Sequence, residues 1–263
     1  MIENKKPILA MQGVSISFGG IKALSEIDIE VGENEIFSII GPNGAGKTTI
    51  FNIISGFYKP DQGSVLFGKH NLINYKPHEI AALGIGRTFQ NLELFAKMSV
   101  LENILIAEHL FIKTSFWNEI ARTAHVRKEE KRAEDNAMAI LKFLGLANIA
   151  QTPISEFPYP LQKRIELARA LALHPKLILL DEPAGGLNHV ESTELARIIK
   201  QIRDEQDLTI LLVEHDMSMV MDISDRIVVI DHGKKIAQGL PTEIQSDAYV
   251  IDAYLGKRQK NDA

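Results

Sequence analysis

A chain of 263 residues with 45% hydrophobic and 24% charged residues can bury a large core, as one domain or as one domain plus a lobe. Its net charge of −5 and isoelectric point near 5.9 argue against a protein that coats nucleic acid, which normally shows a basic excess, and leave room only for a local basic patch. The absence of cysteine excludes a disulfide framework and a thiolate metal site, permits a reducing compartment, and makes the cytosol the default expectation.

In chain order, residues 1–7 are polar and lack the apolar core of a secretory signal. Residues 8–31 read as strand-like, with turn residues Gly19 and Gly20, and predict an antiparallel β portion. Short apolar runs at 36–40, 177–180, 210–213 and 227–230 suit fully covered strands of a largely parallel sheet in an α/β fold. Between 109 and 152 the composition shifts to Ala, Lys, Glu and Arg with no strand-like run. There Ala133, Ala137, Ile140, Leu141 and Leu144 share one helical face, which predicts a helical lobe, over about residues 92–172, inserted in the α/β core. The mixed-sign run 127–135 reads as a solvated helix face, the alternative being a specific binding patch. Thr242 and Gln245 predict a capping box for a final helix, and residues 257–263 a frayed polar tail beyond a single domain of 1–256. No apolar run approaches the roughly 20 residues of a spanning helix, so work at a membrane requires docking to another subunit.

Directly after the run 36–40 stands Gly41-Pro42-Asn43-Gly44-Ala45-Gly46-Lys47-Thr48, a full match to GxxxxGK[ST] leading into helix-like residues 49–55, beginning with Thr49. Glycines let successive backbone N–H groups face phosphate oxygens, and the helix behind them adds its positive end. Lys47 supplies a point charge for the β and γ phosphates of a nucleoside triphosphate, in the first instance ATP. The Thr48 hydroxyl suits Mg2+, a hard cation that keeps waters.

The apolar run 177–180 ends in Asp181 and Glu182, two carboxylates at the carboxyl edge of a buried strand, where open α/β sheets bind ligands; Pro183 is expected to end the strand. Asp181 is placed to hold Mg2+ through its water shell, and Glu182 to take a proton from, or orient, the water that attacks the γ phosphate. His215 follows another apolar run, with Glu214 between. A lone histidine after a strand is ordinarily a satisfied structural residue. Beyond a third core strand, however, it shares the same sheet edge and can hydrogen-bond the γ phosphate.

These pieces, in this order, resemble the ATP-binding cassette ATPases over nearly the whole chain. The resemblance implies a phosphate-loop NTPase of that type, using ATP and Mg2+. It also implies that Phe18 stacks on adenine, the alternative being a strand core residue. Gln90, within Arg87-Thr-Phe-Gln-Asn-Leu-Glu-Leu-Phe95, looks like the family's glutamine loop, which touches Mg2+ and the attacking water; the alternative is a surface glutamine. Phe157-Pro158-Tyr159-Pro160-Leu161 occupies the signature position, which in the family opens a helix that contacts the γ phosphate held by a second, head-to-tail cassette. Here the usual Leu-Ser-Gly-Gly-Gln is replaced, and Pro160 has no N–H to donate. Asn188 stands where the family has an aspartate in a loop that crosses the dimer, keeping an acceptor and losing the charge.

Gly19-Gly-Ile-Lys-Ala-Leu24, Gly84-Ile-Gly-Arg-Thr-Phe-Gln-Asn91, Glu182-Pro-Ala-Gly-Gly-Leu-Asn188, the insertion after His109 and the ending Ala253-Tyr-Leu-Gly256 all resemble the larger ATPase of bacterial branched-chain amino-acid importers. That likeness implies a cytoplasmic subunit, peripheral on the inner membrane. Its partners would be a second cassette, identical or different, permease subunits and, in the wider system, a periplasmic binding protein, with no nucleic acid. Leu92, Leu94 and Phe95 would form the groove for a permease helix, unless they only pack the lobe on the core. The alternatives are a urea-type importer, a lipopolysaccharide-export ATPase, a cassette acting on DNA or ribosomes, and a regulatory cassette that turns ATP over weakly.

Overall fold

Three strands are buried at every residue: β3 (Ile36–Ile40), β7 (Leu177–Asp181) and β8 (Thr209–Val213). Side chains alternate across a strand, so such runs require cover on both faces. In the computed structural model, which describes residues 7–88, 93–108 and 124–255, Leu177 and Leu179 pack into one apolar cluster and Ile178 and Leu180 into another.

The first cluster lies beneath an antiparallel sheet of four strands in the order β2-β1-β4-β5. Its long hairpin, β1 (Pro7–Phe18) and β2 (Ile21–Gly32), turns at Gly19-Gly20, as the sequence predicts; β4 (Gln62–Phe67) and β5 (His70–Asn71) complete it. The main sheet has six strands in the order β10-β9-β3-β8-β7-β6, with β6 (Ile85–Arg87), β9 (Arg226–Asp231) and β10 (Lys234–Gly239). Five of these run parallel and only β10 is antiparallel, at one edge. The carboxyl ends of β3, β6, β7 and β8 consequently open on one side.

Helix α1 (Lys47–Ile54) leaves β3 through the glycine-rich loop, and α2 (Pro77–Ala82) precedes β6. Between β6 and β7 the described residues form no strand, only an isolated bridge of Ser99 with Pro153. They carry α3 (Val100–Glu108), α4 (Ala124–Phe143) and α5 (Tyr159–Leu171). Ala133, Ala137, Leu141 and Leu144 are buried, while Arg127, Lys128, Glu130, Lys131 and Arg132 are exposed, so the charged run faces solvent. Helices α6 (His189–Gln206) and α7 (Met217–Ile223) follow β7 and β8.

The expected capping box at Thr242 and Gln245 is not formed. Helix α8 (Pro241–Ser246) begins at a proline, whose fixed φ and missing N–H suit the first helical position, and Glu243 accepts from Leu240 N at 2.8 Å. Thr242 is thus already inside the first turn. Nor is α8 final, since α9 (Ala248–Leu255) follows it. No helix among the described residues is long and apolar enough to cross a membrane.

Candidate functional site at the carboxyl edge of the main sheet

The loop after β3 is held from three directions. Ala45 N donates to Pro42 O at 3.1 Å, Gly233 N donates to Ala45 O at 3.0 Å, and Ser25 N donates to Gly233 O at 2.8 Å, tying the loop to the β9–β10 turn and to β2. Gly46 has φ 108°, and a Cβ there would lie 2.6 Å from Leu24 Cδ2, so only glycine lets α1 start against the hairpin. The amides of the first turn of α1 have no intrahelical acceptor, and the dipole behind them favours an anion at this end. Gly41 and Ala45 are buried, Pro42 and Thr49 half-buried, and Asn43, Gly44 and Thr48 exposed.

Lys47 is 6% exposed. Its Nζ donates to Gly41 O at 2.7 Å and Pro42 O at 3.0 Å, so the ammonium sits inside the curl of the loop with a third N–H for a phosphate oxygen. Burial pushes its pKa below the ordinary lysine range, and the charges of Glu182 and Asp181 oppose that.

Those two carboxylates stand at the carboxyl end of β7, Asp181 as its last residue and Glu182 just beyond it. Asp181 is 3% exposed and Arg87 Nη2 donates to its Oδ2 at 2.9 Å; burial raises its pKa, and Arg87 is the chief opposing influence. At Glu182 the backbone enters the left-handed region, φ 48°, which costs an L-residue about 1–2 kcal/mol. The strand therefore ends one residue before the site expected from Pro183. The turn is fixed by Glu182 N donating to Val213 O at 2.8 Å and Gly185 N to Glu182 O at 3.0 Å. It points Glu182 at His215: Oε1 and Nε2 are 2.8 Å apart, and with Glu182 ionised the imidazole N–H donates.

Glu214, between β8 and His215, carries more of the site than its position in the sequence suggests. Only 3% exposed, it accepts from Ala184 N at 2.7 Å through Oε1, and from His215 N at 2.6 Å and Asp216 N at 3.2 Å through Oε2. One carboxylate thus staples the turn after β7 to the turn after β8. The signal was available: a carboxylate directly after the apolar run 210–213 must find donors.

Helix α5 opens at the signature segment, with Pro158 as its N-cap and Pro160 in its first turn. Leu161 N and Gln162 N both donate to Pro158 O, at 3.1 and 3.2 Å. Proline fits there because first-turn amides lack helical acceptors, but it leaves Tyr159 N as the first amide of the helix. The Tyr159 ring lies under the Lys163 ammonium at 5.6 Å, and a Cβ on Gly186 would approach it to 3.2 Å. Phe157 is half-buried, and its carbonyl accepts from Gln162 Nε2 at 2.7 Å. Asn188 caps α6, its Oδ1 accepting from Val190 N at 2.9 Å and Glu191 N at 3.1 Å. The acceptor expected to reach across a dimer is therefore already engaged, which leaves its amide N–H groups.

Phe18 is 44% exposed at the end of β1 and meets Tyr58 edge to face at 5.1 Å, so it is not a strand core residue. Gln90 and Leu92 lie outside the described residues. Leu94 packs on the core, while the Phe95 ring is 51% exposed. The Phe95 backbone is clamped by fully buried Asn103 of α3, which accepts from Phe95 N at 2.8 Å and donates to Phe95 O at 3.2 Å and Ser99 O at 2.9 Å.

The donors at this edge are hard oxygens, Thr48 and Asp181, and no group of three or more His, Asp or Glu side chains gathers among the described residues. That set fits Mg2+, which takes one or two protein oxygens and completes its shell with water and phosphate.

Residues 24–185 match the family model described as ABC transporter, and residues 234–259 match that described as branched-chain amino acid ATP-binding cassette transporter. The chain is 43% identical over 252 residues to the high-affinity branched-chain amino acid transport ATP-binding protein LivG of Salmonella typhimurium, covering 96% of this chain and 99% of the relative. It is 40% identical to BraF of Pseudomonas aeruginosa, of the same description, over 96% of this chain and 99% of the relative. Among solved structures, the ADP conformation of MJ1267, an ATP-binding cassette of an ABC transporter, matches with a TM-score of 0.83 and 32% identity, covering 96% of this chain and all of that one. The structure of cbiO1 from Clostridium perfringens, part of an ABC transporter complex, matches with a TM-score of 0.79 and 26% identity over 97% and 96%. A phosphate loop, a carboxylate pair and a histidine on one sheet edge thus occur in a chain that belongs to the ABC transporter family and is one of its ATP-hydrolysing cassettes.

Proposed function

We propose that this cassette powers the uptake of branched-chain amino acids through a membrane permease, from the cytoplasmic face of the inner membrane. The observation that carries the chemistry is the 2.8 Å contact of His215 Nε2 with Glu182 Oε1, on the edge that also presents Lys47. The substrate class rests on the likeness to LivG and BraF along almost the whole chain and on the match at residues 234–259.

In this reading ATP lies over the loop 41–48, its adenine against Phe18 and its phosphates on the α1 amides and Lys47. Mg2+, held by Thr48, Asp181 and, as the resemblance implies, Gln90, would neutralise phosphate charge. Glu182 takes the proton of the attacking water, within the general-base role worth about 100- to 10,000-fold in rate. His215 orients that carboxylate and reads the γ phosphate. A second cassette faces this one head to tail and supplies its own residues 157–161, while Asn188 meets the partner at the interface. Residues 1–256 act as one domain whose helical portion, about 92–172, moves against the sheet. The permease helix seats at Phe95, and a periplasmic binding protein delivers the solute.

Glu182→Gln tests the assignment. ATP binding is expected to persist while turnover falls at least about 100-fold; normal hydrolysis would remove Glu182 as the base. Uptake of labelled leucine by vesicles holding this cassette and its permease subunits checks the substrate. Transport of urea or extraction of lipopolysaccharide instead would replace that part of the reading.

A further inference from the structure

β6 is three residues long, yet its last side chain touches two other elements of the nucleotide edge. Arg87 Nη1 donates to Asn52 Oδ1 at 2.9 Å and Ser55 Oγ at 3.2 Å, in α1 and just after it, and Nη2 donates to Asp181 Oδ2 at 2.9 Å. The guanidinium carbon also lies 5.6 Å from the ring centre of Phe51 and 5.9 Å from that of Phe57. Two acceptors and two rings therefore set the plane of the fork independently of the carboxylate it meets. The side chains of the pair are 9% and 4% exposed, so their attraction is little screened. The contact uses one carboxylate oxygen, and no other hydrogen bond reaches the Asp181 carboxylate among the described residues.

We propose that Arg87 is a positioning residue for the divalent cation that accompanies ATP: held by α1, it grips Asp181 by Oδ2 and leaves the other oxygen to the metal. The proposal rests on the reading of Asp181 as the metal-side carboxylate. Outer partners that orient a metal-binding group are typically worth about 10- to 100-fold in metal affinity. A brace that merely joined β6, α1 and β7 would instead move the melting temperature and all nucleotide binding together.

The test is titration with a fluorescent ATP analogue in excess EDTA and in excess Mg2+, the ratio of the two affinities being the magnesium-dependent gain. Arg87→Met is expected to lose about tenfold or more of that gain, with the EDTA affinity changed by less than about twofold. Arg87→Lys restores only part of it, because an ammonium lacks the fork that reaches Asn52, Ser55 and Asp181 together. Asn52→Ala loosens the fork while keeping the charge and is expected to give a smaller loss of the same kind; it carries the test if Arg87→Met does not fold. An unchanged gain, or equal losses in EDTA and Mg2+, would overturn the proposal. Asp181→Asn separates the two levels: if it keeps the wild-type gain, the assignment of Asp181 is wrong. If it loses the gain while Arg87→Met does not, only the role of Arg87 falls.

Discussion

Helices α1 and α5 both begin at an edge proposed to meet phosphate, and their first turns are built from opposite residues. α1 starts from Gly46, with Lys47 folded into the loop before it; α5 starts from Pro158-Tyr159-Pro160. Glycine lets a run of amides face one point, whereas proline sets the helix entry and removes a donor. Helix direction alone therefore does not make two equal halves of a site. In the proposed function, affinity for ATP belongs to the loop and α1, and α5 would offer a partner's nucleotide the Tyr159 amide and the helix end.

Lys47→Ala is expected to have the largest effect on this division between α1 and α5. Fluorescent nucleotide titration is expected to show binding about 100-fold weaker, or about 2.7 kcal/mol; near-normal binding would mean that the loop is not the dominant half. Pro160→Gly combined with Leu161→Gln adds an amide to α5. Since loss of one transition-state donor costs about 100- to 1,000-fold in another enzyme class, a rise in ATPase rate of about tenfold is expected. An unchanged rate would show that the existing helix start suffices. Phe95→Glu is expected to stop transport while ATP binding stays within about twofold of wild type, as a charge in an apolar contact does; lost ATP binding would move Phe95 from docking to folding. The smallest effect is that of Asn188→Ala, which removes the α6 cap. It is expected to cost about 1 kcal/mol, a fall of about 2–4 °C in melting temperature, with ATP binding retained.

Most of this edge was legible because its chemistry is written in consecutive residues. The loop 41–48, the pair Asp181-Glu182 and His215 each follow an apolar run, and parallel strands deliver such residues to one side. What could not be read depends on residues far apart in sequence. Arg87 and Asp181 are 94 positions apart and meet only because β6 pairs with β7. The engagement of Asn188 was hidden for another reason: a polar side chain before a helix serves the nearest amides first, and Glu191 completes the box from the other side. The cap of α8 falls at Leu240 and not at Thr242 because Pro241, with its fixed φ and missing N–H, takes the first helical position. Gln90 and Leu92 lie outside the described residues, so their roles stand on the resemblance alone.

Asn103 gives the exposed Phe95 ring an uncommon mounting. Surface aromatics on loops usually yield when pushed, and the loop absorbs the displacement. Here the backbone under the ring is bolted through both its N–H and its C=O to a side chain with no solvent exposure. A load that reached the Phe95 backbone would be passed to α3 through these two hydrogen bonds. The same two bonds would serve both directions of travel, so a shift of α3 would reach the base of the ring by the route a push on the ring takes to α3.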